Sequence, residues 1–249
     1  MILIFGGTTE GKQVIQLMNQ LKQRYHYSTK TKVEYADDSF GVYRFGVLDE
    51  AALFYYVQQH KITQIINAAH PFASLLHQTI EIVSQRLNLP VYRLERVYEQ
   101  EQKNTLIHYV DNYEKGLGLL FQQFEGKQLL ALSGVQSIPK LRPYWSLYTT
   151  IFRILDRASS LEFAIKQEFP KAQLILAYPN KEITEEIAVY QNYQAEIILT
   201  KESGGSGYLA TKIKAALSLE IPIIIIKKPK TPTSFLPINN LKELAIKLL

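Results

Sequence analysis

Three groups of residues in this 249-residue chain could do chemistry on an anion. The first is the run Gly6-Gly7-Thr8-Thr9-Glu10-Gly11, placed directly behind the apolar stretch Ile2–Phe5. Glycines at such a point allow a tight turn and a close approach of backbone to a pyrophosphate, and a following helix offers unpaired N–H groups and a partial positive charge. Gly6 and Gly11 take the outer positions of a G-x-G-x-x-G fingerprint, with Thr8 in place of the middle glycine, and Thr8 and Thr9 add hydroxyl donors. This run is a candidate dinucleotide site. About 20 residues on, NAD-binding chains carry an acid for the ribose. Here the corresponding stretch is Ser28-Thr29-Lys30-Thr31-Lys32, with no acid before Glu34. Lys30 could meet a 2′-phosphate, which favours NADPH and leaves NADH as the other option, while Lys32 reads as a solvated lysine.

The second group follows two further strand-like runs. His70 ends the run at 62–69 and is a candidate ligand contact or proton donor, while Pro71 stands where the next helix can start. Arg93 and Arg96, in Val91-Tyr92-Arg93-Leu94-Glu95-Arg96, are forks suited to carboxylate or phosphate. His77 reads as a packing residue, and the histidines show no metal-ligand spacing, so no metal is expected. The third group comprises Ser133-Gly134 after the run at 128–132, with backbone donors for the cofactor, and the loop Lys201, Ser203, Gly204, Gly205 and Ser206 after the run at 196–200.

The elements that must hold these residues follow from hydrophobic periodicity. Strands are expected at 2–5, 25–31, 41–46, 62–69 and 90–96, with helices at 9–23, 50–60 (capped by Asp49) and 71–87. The pattern weakens over 97–104 and then resumes. Strands are expected at 105–110, 128–132, 147–155, 172–177, 196–200 and 222–227, and helices near 112–124, 159–168, 183–192, 206–218 and 239–248. Alternating strand and helix is the pattern of parallel sheets covered on both faces. The expected fold class is therefore α/β, with two domains of mostly parallel sheet at 1–100 and 101–249. Ligands in such sheets sit beyond the carboxyl ends of the strands, where all three groups fall.

Composition narrows the class further. Hydrophobic residues make up 47% and charged residues 20%, and the formal charge is +5. Lys127, Lys140, Arg142 and Arg153 fall in a stretch, 127–155, that holds no acid. The absence of cysteine excludes disulfides, zinc–thiolate sites and thiol nucleophiles. No apolar run reaches the roughly 18 residues of a membrane span, and the N-terminus lacks a signal-peptide pattern. A cytoplasmic protein with no nucleic-acid or membrane partner is expected.

Taken together, "ILIFGGTTEGKQ", "INAAHPFA", "VYRLER" and "LTKESGGSGYLATKIKAA…IPIIIIKKP" resemble the precorrin-6A reductases of cobalamin biosynthesis over nearly the whole chain. The resemblance implies an NADPH-dependent oxidoreductase that reduces a double bond of the precorrin-6A or cobalt-precorrin-6A tetrapyrrole to the 6B form. It also implies two Rossmann-like domains, the first binding NAD(P) and the second the substrate, with the active-site cleft between them. On that pattern Gly6, Gly7, Thr8, Thr9, Glu10, Gly11, Lys30, Ser133 and Gly134 would serve the cofactor. His70, Arg93, Arg96, Lys201, Ser203, Gly204, Gly205 and Ser206 would serve the substrate, with His70 as the candidate catalytic group. The stretch Ala177-Tyr178-Pro179-Asn180-Lys181-Glu182 departs from the glycine-containing turn of the family. Two other classes compete. A regulatory protein that only senses NADPH would not need the Gly/Ser loop at 203–207. A short-chain-type dehydrogenase would need a Tyr-x-x-x-Lys pair on a helix, which spacings such as Tyr27 to Thr31 do not supply.

Overall fold

A computed structural model describes residues 1–35, 39–96, 98, 100–204 and 207–248. The chain divides into two compact units, Met1–Val97 with Pro229–Leu249, and Tyr98–Lys228.

The first unit is built on strands β1 (Ile2–Phe5), β2 (Tyr25–Thr29), β3 (Gly41–Phe45), β4 (Gln64–Asn67) and β5 (Val91–Leu94), with helices α1 (Thr9–Gln20), α2 (Glu50–Gln59) and α3 (Ser74–Leu87). All four residues of β1 are buried, as expected of a parallel strand covered on both faces. The period-2 alternation of a strand sends Ile2 and Ile4 into one core, with Val14 and Met18 of α1. It sends Leu3 and Phe5 into the other, with Leu53 and Val57 of α2 and Ile80 and Val83 of α3.

The second unit carries β6 (Ile107–Val110), α4 (Tyr113–Gln123), β7 (Leu129–Ala131), α5 (Arg142–Trp145), β8 (Thr150–Ile154), α6 (Ala158–Lys166), β9 (Leu174–Leu176), α7 (Ile183–Asn192), β10 (Ile197–Lys201), α8 (Leu209–Ser218) and β11 (Ile223–Ile226). The chain closes with β12 (Leu236–Ile238) and α9 (Leu241–Leu248).

Each sheet has six strands, in the orders β12-β5-β4-β1-β2-β3 and β6-β11-β10-β7-β8-β9. All the strand pairs are parallel among the described residues. Both orders match the doubly wound 3-2-1-4-5-6 arrangement, so two Rossmann-like units are present. The sixth place is filled crosswise: β6, which follows β5 in the chain, completes the second sheet, and β12, which follows β11, completes the first.

This corrects the expected range 101–249. Residues 229–249 belong to the first unit because β12 pairs with β5, Leu236 beside Tyr92 and Ile238 beside Leu94. Phe235, Ile238 and Leu244 are then buried in the first unit's cores. A second difference lies at Pro71, which does not open α3. A turn intervenes, and the helix begins at Ser74.

Candidate active site

In each sheet the strand order reverses at one point, between β1 and β4 in the first and between β7 and β10 in the second. A doubly wound sheet opens a crevice at that point, beyond the strands' carboxyl ends. The turns after β1 and β4 carry Gly6–Gly11 and His70. Those after β7 and β10 carry Ser133-Gly134 and the loop from Lys201.

The turn after β1 divides its work among the glycines. A Cβ on Gly6 would overlap the Tyr27 ring, and one on Gly11 would lie 2.9 Å from the Gly6 Cα, so both serve close packing of α1 on the strands. Gly7 makes the turn itself at φ +87°, and its N–H donates to Tyr27 Oη at 2.8 Å. Thr8 is the N-cap. Its Oγ1 accepts from Gly11 N–H at 3.0 Å and donates to the Ala68 carbonyl at 2.7 Å, tying this turn to the one after β4. The hydroxyl of Thr8 is thus fully engaged inside the protein. Thr9 is exposed, and among the described residues the amides of Thr9 and Glu10 meet no acceptor. Glu10 does not face a ligand alone: its Oε2 pairs with Arg96 Nη2 at 2.9 Å. The residues expected to serve cofactor and substrate separately here serve each other. The pair offsets a carboxylate that would repel an anion at the helix N-terminus. Lys30 is exposed just past β2.

The turn after β4 is fixed by a buried polar cluster. Arg93 is 2% exposed, and its Nη1 donates to Asn67 Oδ1 (3.0 Å), the Asn67 carbonyl (3.2 Å) and the Ala69 carbonyl (2.8 Å). This corrects the expectation that Arg93 grips a substrate carboxylate, because its guanidinium is enclosed and holds the turn instead. Asn67 Nδ2 donates to His77 Nδ1 at 2.9 Å, and His77 Nε2–H donates to the His70 carbonyl at 3.2 Å. Burial, and then the charge of Arg93, push the His77 pKa down to about 4. So His77, expected only to pack, is a neutral buried post beneath His70. The half-buried His70 ring accepts the Phe72 N–H at Nδ1 (3.2 Å), so the neutral ring carries its proton on Nε2.

The second unit's edge is built from cations. Lys201 ends β10 half-buried, and burial followed by the charge of Lys140 lowers its pKa to about 8. Lys140 Nζ also lies 4.6 Å over the Tyr113 ring. Behind Lys201 lies Lys212 of α8, 3% exposed, whose Nζ reaches Thr200 Oγ1 at 3.4 Å. Burial and the charge of Arg153 lower its pKa to about 7. Arg153 is itself buried and forms a bidentate pair with Glu186 at 2.7 and 2.9 Å. Asn180 Nδ2 (2.9 Å) and Tyr190 Oη (3.2 Å) also donate to Glu186.

The Ser133 side chain is buried and donates to Ser137 Oγ at 2.6 Å, so its hydroxyl is occupied within its own turn, whereas the expectation concerned its backbone N–H. Gly134 remains open, at φ +81° with nothing within 4 Å of where a Cβ would lie. Gly204 turns at φ +68°, and a Cβ on Gly207 would overlap Ser203, so the loop closes tightly on itself. Gly205 and Ser206 lie outside the described residues.

Glu186, Lys212 and Arg44 were singled out by no sequence pattern, and Arg153 only as part of the acid-free stretch 127–155. One signal was available: Tyr208-x-x-x-Lys212 has the spacing of a short-chain dehydrogenase pair. The structure removes that meaning. Tyr208 is the N-cap of α8 at φ +49°, and Lys212 Nζ points to Thr200. Among the described residues no group of three or more His, Cys, Asp or Glu could hold a metal ion. No helix among them is long and apolar enough to cross a membrane.

The family model described as precorrin-6x reductase CbiJ/CobK matches residues 1–246. The chain belongs to the CbiJ/CobK family. A cobalt-precorrin-6A reductase of Methanococcus maripaludis is 31% identical over 172 residues, 68% of this chain and 66% of that protein. One from Methanocaldococcus jannaschii is 24% identical over 251 residues, 96% of each chain. A solved CobK precorrin-6A reductase superposes with a TM-score of 0.78 at 19% identity, covering 99% of this chain and 95% of that one, and so shares the fold. As a CbiJ/CobK protein the chain is a reductase of cobalamin biosynthesis.

Proposed function

We propose that this reductase acts in the cytoplasm and uses NADPH to reduce a double bond of the precorrin-6A or cobalt-precorrin-6A macrocycle, giving the 6B form. The observation that carries the cofactor half is the turn after β1. It combines a positive-φ glycine, an exposed Thr9 and two helix-N-terminal amides without an acceptor among the described residues. Residues Gly6–Gly11 would hold the pyrophosphate there. A nicotinamide dinucleotide bound there supplies the hydride.

The protein's own part is binding and orientation. Arg96 offsets the Glu10 charge, so the turn presents donors alone. Arg93, Asn67 and His77 fix the backbone of His70, which places its ring as a contact for the substrate. In the second unit Lys201 and Lys140 meet peripheral carboxylates of the tetrapyrrole. A lysine with a pKa near 8 is still mostly protonated at pH 7, so Lys201 keeps the charge this needs.

Thr9→Glu is the direct test. Thr9 is exposed, so folding is preserved, while a carboxylate lands where the pyrophosphate docks. NADPH affinity measured by calorimetry should fall at least about tenfold, in line with loss of a charge-assisted contact. Unchanged affinity would place the cofactor elsewhere. Single-turnover reduction of cobalt-loaded and metal-free substrate by the same preparation tests the substrate half.

A further inference from the structure

Arg44 belongs to no motif read in the sequence, yet it occupies the point where dinucleotide-binding sheets tell one cofactor from another. In NAD-binding sheets an acid at the end of the second strand takes the adenosine ribose hydroxyls. Here that strand is β2, and it ends in the uncharged Ser28 and Thr29. Arg44 of β3 lies beside Ser28 in register and donates from Nη1 to Ser28 Oγ at 2.6 Å. Its Nη2 donates to the Phe45 carbonyl at 3.1 Å and the Gly46 carbonyl at 3.0 Å. The Gly46 N–H in turn donates to the Thr29 carbonyl at 3.0 Å, so the loop is folded around the guanidinium. Tyr56 places its ring 5.7 Å from the guanidinium carbon, and that ring is held by a 2.6 Å bond between its hydroxyl and His26 Nδ1.

The result is a fixed, half-buried guanidinium with no carboxylate partner among the described residues. Its three bonds leave Nε and the second proton of Nη1 for another acceptor. A fixed guanidinium with two donors left suits a phosphate, and its charge is opposite to that of the acid it replaces.

We propose that Arg44 is the residue that reads the ribose 2′-phosphate and sets the preference for NADPH over NADH, with Lys30 contributing long-range attraction only. This rests on the assignment of the dinucleotide to Gly6–Gly11.

Calorimetry on the full chain with NADPH, NADH and adenosine 2′-monophosphate tests it. Arg44→Gln keeps a donor for the loop carbonyls. It should weaken NADPH and the 2′-monophosphate about 10- to 100-fold while NADH changes less than about threefold. Lys30→Gln should cost NADPH less than about fivefold, as an exposed screened charge does. Arg44→Lys keeps the charge without the fork and should fall between wild type and Arg44→Gln; it stands in if Arg44→Gln does not fold. Equal weakening of NADPH and NADH, no weakening of either, or a larger effect from Lys30→Gln would overturn the assignment to Arg44. Those results leave the dinucleotide site intact as long as Thr9→Glu still blocks binding. Wild-type protein that binds neither nucleotide would overturn the cofactor assignment itself, and this inference with it.

Discussion

At the carboxyl end of β1 the edge of the first sheet consists of amides, glycines and an ion pair that cancels itself. At the carboxyl end of β10 the edge of the second sheet consists of lysines backed by a buried arginine. Both edges suit anions, but they reach that character differently. Amides at a helix N-terminus are fixed dipoles that need no proton. Lys201 and Lys212 carry charge only at the cost of desolvation, so the second edge responds to pH and to the loss of a neighbour. On the proposed assignment, a permanently charged pyrophosphate is met by dipoles, while carboxylates spread over a macrocycle are met by full charges.

The comparison breaks most readily at Glu186, the carboxylate that pairs with Arg153. Glu186→Gln leaves Arg153 buried without its partner and should cost about 3–5 kcal/mol in urea unfolding. A loss under about 1 kcal/mol would mean that the network is wetter than its burial indicates.

Lys212 gives the next largest effect. Its folded pKa lies near 7 against an ordinary 10.5, so the unfolded chain binds more protons between those values. Stability should therefore rise from pH 7 to pH 10, by up to about 4 kcal/mol from this group. In Lys212→Met that rise should flatten. A parallel pH profile in the variant would show that Lys212 stays charged in place.

His77 supplies the counterpart in the first unit. Its folded pKa is about 4 and its ordinary value 6.5, so it is neutral in the folded protein at pH 7. Its contribution is full above pH 6.5 and lost as pH falls toward 4, by up to about 3 kcal/mol. His77→Gln should remove that slope without altering the one near pH 8. The smallest effect sharpens the dipole side: Tyr27→Phe keeps the ring under Gly6 and Gly11 but removes the acceptor of the Gly7 N–H. It should cost about 1 kcal/mol of stability, the typical worth of one hydrogen bond.

The sheets were largely legible because β1 and β11 are continuous apolar runs bounded by turn residues. The strand ends were legible for the same reason, and so were the turns that follow them. Side-chain direction was not. β5 is enclosed on both faces and shows no alternation, so nothing in Val91-Tyr92-Arg93-Leu94 says that Arg93 points inward. The Glu10–Arg96 pair spans 86 residues and depends on tertiary placement alone. Arg44 hides in a strand whose neighbours are aromatic, where a single arginine looks like a solvated edge residue. β12 is three residues long and contains a proline, below what periodicity can register.

The crosswise filling of the sixth places has a consequence for how the protein is made. Every strand of the second sheet lies between residues 107 and 226, so that sheet can close while the last stretch of chain is still being synthesised. The first sheet cannot. β1 to β5 leave the ribosome first, yet β5 stays an open edge until residues 236–238 arrive. An unpaired strand edge is a site of wrong association. The half of the protein that is translated first is thus the half that matures last, and a nascent chain halted near residue 228 carries a finished second unit beside an unfinished first one.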